Sequence, residues 1–245
     1  MPDPMFSRID PALTLYPWPD FPETEISSGA RGSNGHWLLE GFSANLRIGV
    51  WEAEANLGRW VNWPVHEFMV ILEGEVVMVE HDCETVIRAG ECFYIPKGRR
   101  CIWNQAGYAR KIMVLFDDAP GLPGDGTDPI RKVDPALPLT PIVPPPAAIL
   151  HTAPPTQHAG EVYRDPSGQF SIGIWQSTGY GRNSVSPART EVMHLLEGRM
   201  TLTAPDGTAM SFGPGESLLV PQGAANAWDS VGAVRKVYCI HQPKA

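Results

Sequence analysis

EFMVILEG at residues 67–74 and EVMHLLEG at residues 191–198 are one segment written twice. Each opens on Glu (Glu67, Glu191), carries Met two places on (Met69, Met193) and closes on Leu-Glu-Gly, 124 residues apart. Upstream, Ile48, Gly49, Trp51 and Val61 return at the same spacing as Ile172, Gly173, Trp175 and Val185. Downstream, a one-residue insertion makes the spacing 125. Gly90 and Glu91 match Gly215 and Glu216, Pro96 and Gly98 match Pro221 and Gly223, Trp103 matches Trp228, and Arg110-Lys111 match Arg235-Lys236. Matches in constant register over a whole domain mean an internal duplication.

The repeated unit reads as β. Short runs such as Phe68–Leu72, Val76–Val79, Ile112–Phe116 and Ser217–Val220 are rich in β-branched and aromatic residues and are bounded by Gly or Pro. No run has helical periodicity. Pro205-Asp206-Gly207 predicts a hairpin turn, since Pro presets φ and Gly supplies positive φ. Several short strands per copy predict a closed sandwich or barrel. Between the copies eleven prolines crowd residues 119–156, and a residue without an N–H cannot serve a central ladder. The expected organisation is an N-terminal arm (1–40), a first barrel (41–118), a Pro-rich linker (119–160) and a second barrel (161–245).

With 43% hydrophobic and 19% charged residues, each half can bury a core. A net charge of -8 without a dense basic run argues against nucleic acid. The start, Met1-Pro2-Asp3-Pro4, lacks a basic region followed by an apolar stretch, and no segment approaches the roughly 18 apolar residues of a membrane helix. A cytoplasmic protein without a membrane partner is expected. Cys83, Cys92, Cys101 and Cys239 form no CxxC pair and are expected as free thiols.

A Glu seven residues before the Gly of Leu-Glu-Gly, followed by Gly-x5-Pro-x-Gly (Gly90–Gly98, Gly215–Gly223), resembles the two signature motifs of the cupin superfamily. The Gly-x-Trp ahead of the Glu motif, and the Trp and Arg-Lys that follow the Pro-x-Gly motif, are similar to those of the (S)-ureidoglycine aminohydrolase-type cupin domain family. The resemblance covers about residues 41–116 and 165–241. It implies an all-β bicupin: two tandem RmlC-like jelly-roll barrels joined by the Pro-rich linker.

Metal-binding cupins supply His-x-His and Glu from the first motif and a His from the second, a set suited to a transition metal. Here the His-x-His positions hold Trp60 and Asn62 in one copy and Ser184 and Ser186 in the other, and the second-motif His falls at Cys101 and Asn226. Only Glu67 and Glu191 remain. No resident cofactor is expected, and a divalent metal on Glu67, Asn62 and Cys101 is the alternative.

Strand alternation from the glutamates places Trp60, Asn62, Met69, Cys101 and Trp103 on the inner wall of the first barrel. It places Ser184, Ser186, Met193, Asn226, Trp228 and Ser230 in the second, as a smaller and more polar chamber. His66 and His194 then face outward, as surface or interface histidines. A carboxylate inside a barrel needs a cation. Arg110 or Lys111, and Arg235 or Lys236, can supply it, with only one of each adjacent pair facing inward.

Three functions stay open. One is a metal-independent small-molecule binder or a lyase, isomerase or hydrolase, with Glu67 and Glu191 at raised pKa as acid or base. The second is a metal enzyme of aminohydrolase or dioxygenase type. The third is a ligand-sensing or dimerisation module, paired as a homodimer through outward Phe68, Val70 and Leu72.

Overall fold

The computed structural model describes residues 4–40 and 45–244. The expected boundary at residue 41 and the chain's last residue lie outside them. Among the described residues there are strands, turns and one 3-10 turn (Ala147–Ile149), and no α-helix. The chain divides into two compact units, residues 11–133 and residues 134–245 together with 1–10. We call them the N-terminal and C-terminal barrels.

In the N-terminal barrel one sheet runs Arg131–Lys132, Cys92–Ile95, His66–Glu73, Ala109–Phe116, Leu46–Ala53, Ser33–Glu40, Tyr16–Trp18. The other runs Glu84–Arg88, Glu75–Val79, Arg100–Gln105, Asn56–Gly58, Ile26–Gly29. The C-terminal barrel repeats the plan. Its larger sheet runs Ser7–Ile9, Ser217–Val220, Thr190–Glu197, Val234–His241, Phe170–Ser177, Gln157–Arg164, Thr140–Ile142. Its smaller sheet runs Gly181–Val185, Asn226–Asp229, Met200–Thr203, Ala209–Phe212. Every pairing within each larger sheet is antiparallel. The stretch expected as an arm therefore holds four strands. Pro17 and Pro141 each sit in the outermost strand of a larger sheet, where a missing N–H costs no ladder bond.

Two features of the repeated segment have structural causes. Gly74 and Gly198 adopt φ of 82° and 79°, and a Cβ there would meet Tyr108 O at 2.1 Å or Ala233 O at 2.0 Å, so only Gly closes the motif. Just before it, the ladder shifts. Arg110 opposes Glu73 but Lys111 opposes Ile71, passing over Leu72; Arg235 opposes Glu197 but Lys236 opposes Leu195, passing over Leu196. A bulge of one residue re-aims the neighbouring side chains. It turns Lys111 and Lys236, rather than the arginines beside them, to the face of Glu67 and Glu191.

The cores lie between the sheets. Met69, Ile71, Met78, Phe93, Ile95 and Cys101 anchor the N-terminal one; Leu195, Leu202, Phe212, Leu218, Ala224 and Trp228 anchor the other. The opposite faces of the central strands are buried as well: Phe68 and Val70 are 1% and 0% exposed, and His66 and His194 are 3% and 5%. This corrects the expectation of outward, partner-ready Phe68 and Val70 and of surface histidines. Alternation separates two faces of a strand; it does not say which face meets water.

Candidate functional site: two barrel chambers with an internal ammonium

In each barrel one cluster recurs. Lys111 Nζ donates to Glu67 Oε1 at 2.8 Å, lies 3.2 Å from Met69 Sδ, and sits 4.9 and 4.4 Å from the ring centroids of Trp51 and Trp103. Lys236 Nζ donates to Glu191 Oε1 at 2.8 Å, lies 3.0 Å from Met193 Sδ, and sits 4.9 and 5.5 Å from Trp175 and Trp228. Trp51 and Trp175 are the direct cross-strand neighbours of these lysines. Each ammonium thus has a carboxylate, a thioether and two indole faces, partners that offset its desolvation.

The second carboxylate oxygen differs. Glu67 Oε2 accepts from Trp63 Nε1 at 2.9 Å, whereas Glu191 Oε2 has Arg189 Nη2 at 3.4 Å. Burial works to raise the Glu191 carboxyl, but Lys236 and Arg189 outweigh it and hold the group below its ordinary value. The expected raised pKa does not hold for Glu191: it is a fixed anion. Burial pulls the Lys236 ammonium down from its ordinary value, against Glu191.

These residues do not fit a transition metal. The position beside each glutamate is taken by an ammonium, and the other expected donors are elsewhere. Trp60 is 41% exposed with Arg100 over its ring, Asn62 is exposed, and Ser184 and Ser186 are exposed. They are not on the inner wall. Strand Val61–Asn62 is two residues long and a bend precedes His66, so alternation counted back from Glu67 loses its phase. In the other copy the ladder shifts between Arg182 and Val185. Cys101 is wholly buried in the core, its thiol pushed up to about 12 by burial. The set Glu67, Asn62, Cys101 is not brought together.

Beside the Glu–Lys clusters lie two cavities. The N-terminal one, about 270 Å³, is lined by Trp18, Phe21, Trp51, Trp63 and Trp103 together with Glu67 and Lys111. The C-terminal one, about 470 Å³, includes Arg164, Arg182, Arg189, Lys236, Glu161 and Glu191 among its wall residues, over an aromatic floor of Trp175, Tyr180 and Trp228. The C-terminal chamber is polar through its arginines rather than through the Ser184, Ser186, Asn226 and Ser230 expected there, and it is larger rather than smaller. Met193, Trp103 and Trp228 line cavities as well as packing in the cores, while Met69 touches Lys111 from beneath.

Arg182 was missed by alternation. Asn226 lies behind it and fixes it: Arg182 Nη1 donates to the Asn226 carbonyl at 2.5 Å and Nη2 to Asn226 Oδ1 at 2.7 Å. Tyr180, whose hydroxyl burial pushes up to about 12, bonds it as well. All these partners are neutral, and among the described residues no carboxylate lies within ion-pair distance of Arg182. Arg164 is paired with Glu161. The wall therefore carries four cations against two carboxylates.

The family model of the EutQ-like cupin domain matches residues 40–112 and again residues 164–238, more than half of the chain. This protein belongs to the EutQ-like cupin family. Three solved structures share the fold of this cupin. A protein of unknown function from Pseudomonas syringae is 23% identical with a TM-score of 0.80, over 97% of this chain and 99% of that one. Protein Ylba from E. coli is 12% identical with a TM-score of 0.58, over 98% and 92%. A cupin 2 conserved barrel domain protein from Leptotrichia buccalis is 11% identical with a TM-score of 0.56, over 89% and 92%. Among curated proteins no match was found. No helix among the described residues is long and apolar enough to cross a membrane.

Proposed function

We propose that this cupin binds a small organic anion in its C-terminal barrel, with the Lys236 ammonium doing the charge balancing that a metal ion does in metal-binding cupins. One observation carries the reading: Arg182 lines a chamber of about 470 Å³, its guanidinium is hydrogen-bonded only by neutral groups, and among the described residues no carboxylate is in ion-pair contact with it, Glu191 and Asp229 acting on it only at longer range. A half-buried guanidinium without a carboxylate in contact is incompletely compensated, and an incoming carboxylate supplies that contact. The floor of Trp175, Tyr180 and Trp228 offers an apolar seat for the rest of the molecule. The site sits in a chain of net charge -8, so its local excess of cations is specific to this wall.

Calorimetric titration with a panel of carboxylates, benzoate and malonate among them, against uncharged amides of the same shape tests this. The acids are expected to bind saturably and the amides not. Equal binding of acids and amides would refute the reading.

A second reading, catalysis, is favoured by Lys236. The residue lines the cavity and burial makes its proton easier to lose, which suits acid–base work in a lyase or isomerase. In that reading Glu191 orients the ammonium rather than donating a proton itself. Turnover would then rise or fall with a single ionisation below the ordinary lysine range and vanish in Lys236→Met.

A further inference from the structure

We infer that the ligand of the C-terminal chamber is a dicarboxylate, held at its two ends by Arg182 and Arg189; this deepens the anion reading above and rests on it. The charges of the wall ask for two negative groups. Of its four cations, Lys236 is matched by Glu191 Oε1 at 2.8 Å and Arg164 by Glu161. Arg182 and Arg189 remain. Among the described residues the one carboxylate touching either is Glu191, already engaged by Lys236, with Arg189 Nη2 at 3.4 Å from its second oxygen. Asp229 acts on Arg182 at longer range, but it is not a wall residue and is bonded with His151 Nε2 at 2.9 Å. One carboxylate facing three cations leaves two positive charges without a partner.

The two charges have separate anchors. Arg182 stands on strand Gly181–Val185 of the smaller sheet, its guanidinium fixed on Asn226. Arg189 immediately precedes strand Thr190–Glu197 of the larger sheet, and among the described residues it donates to Glu191 through Nη2 alone. The rest of its five-donor fork is open to a carboxylate. Both arginines act on the Lys236 ammonium and push it down, so both belong to one chamber.

The other barrel lacks both groups at once. Repeat spacing puts Gly58 at the place of Arg182 and Val65 at that of Arg189, while Glu67 and Lys111 keep the central pair. The two arginines thus diverge together, as a two-point contact requires. A monocarboxylate satisfies one of them and leaves the other. A compact dianion such as phosphate concentrates its charge at one point, whereas anchors on different sheets suit charges set apart along a carbon chain. The floor of Trp175, Tyr180 and Trp228 gives that chain an apolar surface.

Calorimetric titration of the full chain near neutral pH with malonate, succinate and glutarate, each against its own monoamide, tests this. The monoamide keeps the shape and loses one charge. At least one diacid is expected to bind tenfold or more tighter than its monoamide. In Arg189→Met that gap should close to under threefold with the monoamide unaffected, and Arg189→Lys should keep part of it. Arg189 is exposed, so thermal melts of both variants should report an intact fold. Inorganic phosphate should bind at least tenfold weaker than the best diacid. Diacids no tighter than their monoamides, a gap that Arg189→Met leaves open, or phosphate as tight as the best diacid would overturn the dicarboxylate and leave the anion reading standing. Absence of saturable binding by any carboxylate would overturn both.

Discussion

The two barrels share a centre and differ at the rim. Glu67, Lys111, Met69, Trp51 and Trp103 reappear as Glu191, Lys236, Met193, Trp175 and Trp228, with Glu–Lys distances of 2.8 Å in both. Around them, cross-strand registers align Asn56 with Tyr180, Gly58 with Arg182 and Glu40 with Arg164. The repeat spacing aligns Val65 with Arg189 and Val70 with His194. Duplication kept the ion pair that ties strand to strand and changed the groups that meet a ligand. The invariant part reads as structure and the divergent part as specificity.

The largest test of that division is removal of one lysine. Lys111→Met leaves Glu67 without a cation and Lys236→Met leaves Glu191 with only Arg189 at 3.4 Å, and each is expected to cost about 3–5 kcal/mol of stability. Pairing each with Glu→Gln at residue 67 or 191 should recover most of it. Denaturant unfolding checks both. A large loss in one barrel and none in the other would break the claim of a shared structural centre.

Next is a pH effect confined to one barrel. His194 is pushed down to about 4 by burial, with Nδ1 beside Ser217 Oγ at 2.9 Å, where the N-terminal copy has Val70. A histidine held neutral in the fold contributes stability that is fully present above its unfolded value of 6.5 and lost as pH falls toward 4. The loss is expected to be on the order of 3 kcal/mol. His194→Val, which installs the other barrel's residue, should flatten melting temperature against pH over that interval. An unchanged slope would contradict it.

A smaller effect separates the chambers. Arg182→Gly copies Gly58 of the N-terminal barrel and should weaken carboxylate binding at least tenfold, about 1.4 kcal/mol. The smallest concerns the edges. Arg8 pairs with Glu216 and Lys132 with Glu91 at equivalent places on the two larger sheets, so Arg8→Ala and Lys132→Ala should each cost under about 1 kcal/mol, measured by thermal melts.

The duplication, the β class and the pairing of each glutamate with a last-strand base were legible in the sequence, because spacing and strand chemistry are local properties. Which base turned inward was not, because the bulges at Leu72 and Leu196 appear only once the strands are paired. Trp60, Asn62, Ser184 and Ser186 were misplaced for a related reason: alternation carries phase only along an unbroken strand. Trp51 and Trp175 stood in the repeat and could have been drawn into the site from their pairing with Lys111 and Lys236. Arg182 and Tyr180 carried no such mark. They differ between the copies, and a search for repeats passes over what has diverged.

The central claim is that the rim of one barrel, and not the shared centre, makes an anion site. Calorimetric titration of benzoate into the wild-type chain and into Arg182→Met tests it most directly. The account predicts one site per chain in the wild type and at least a tenfold loss in the variant. Two equivalent sites, or an affinity that Arg182→Met leaves unchanged, would contradict it.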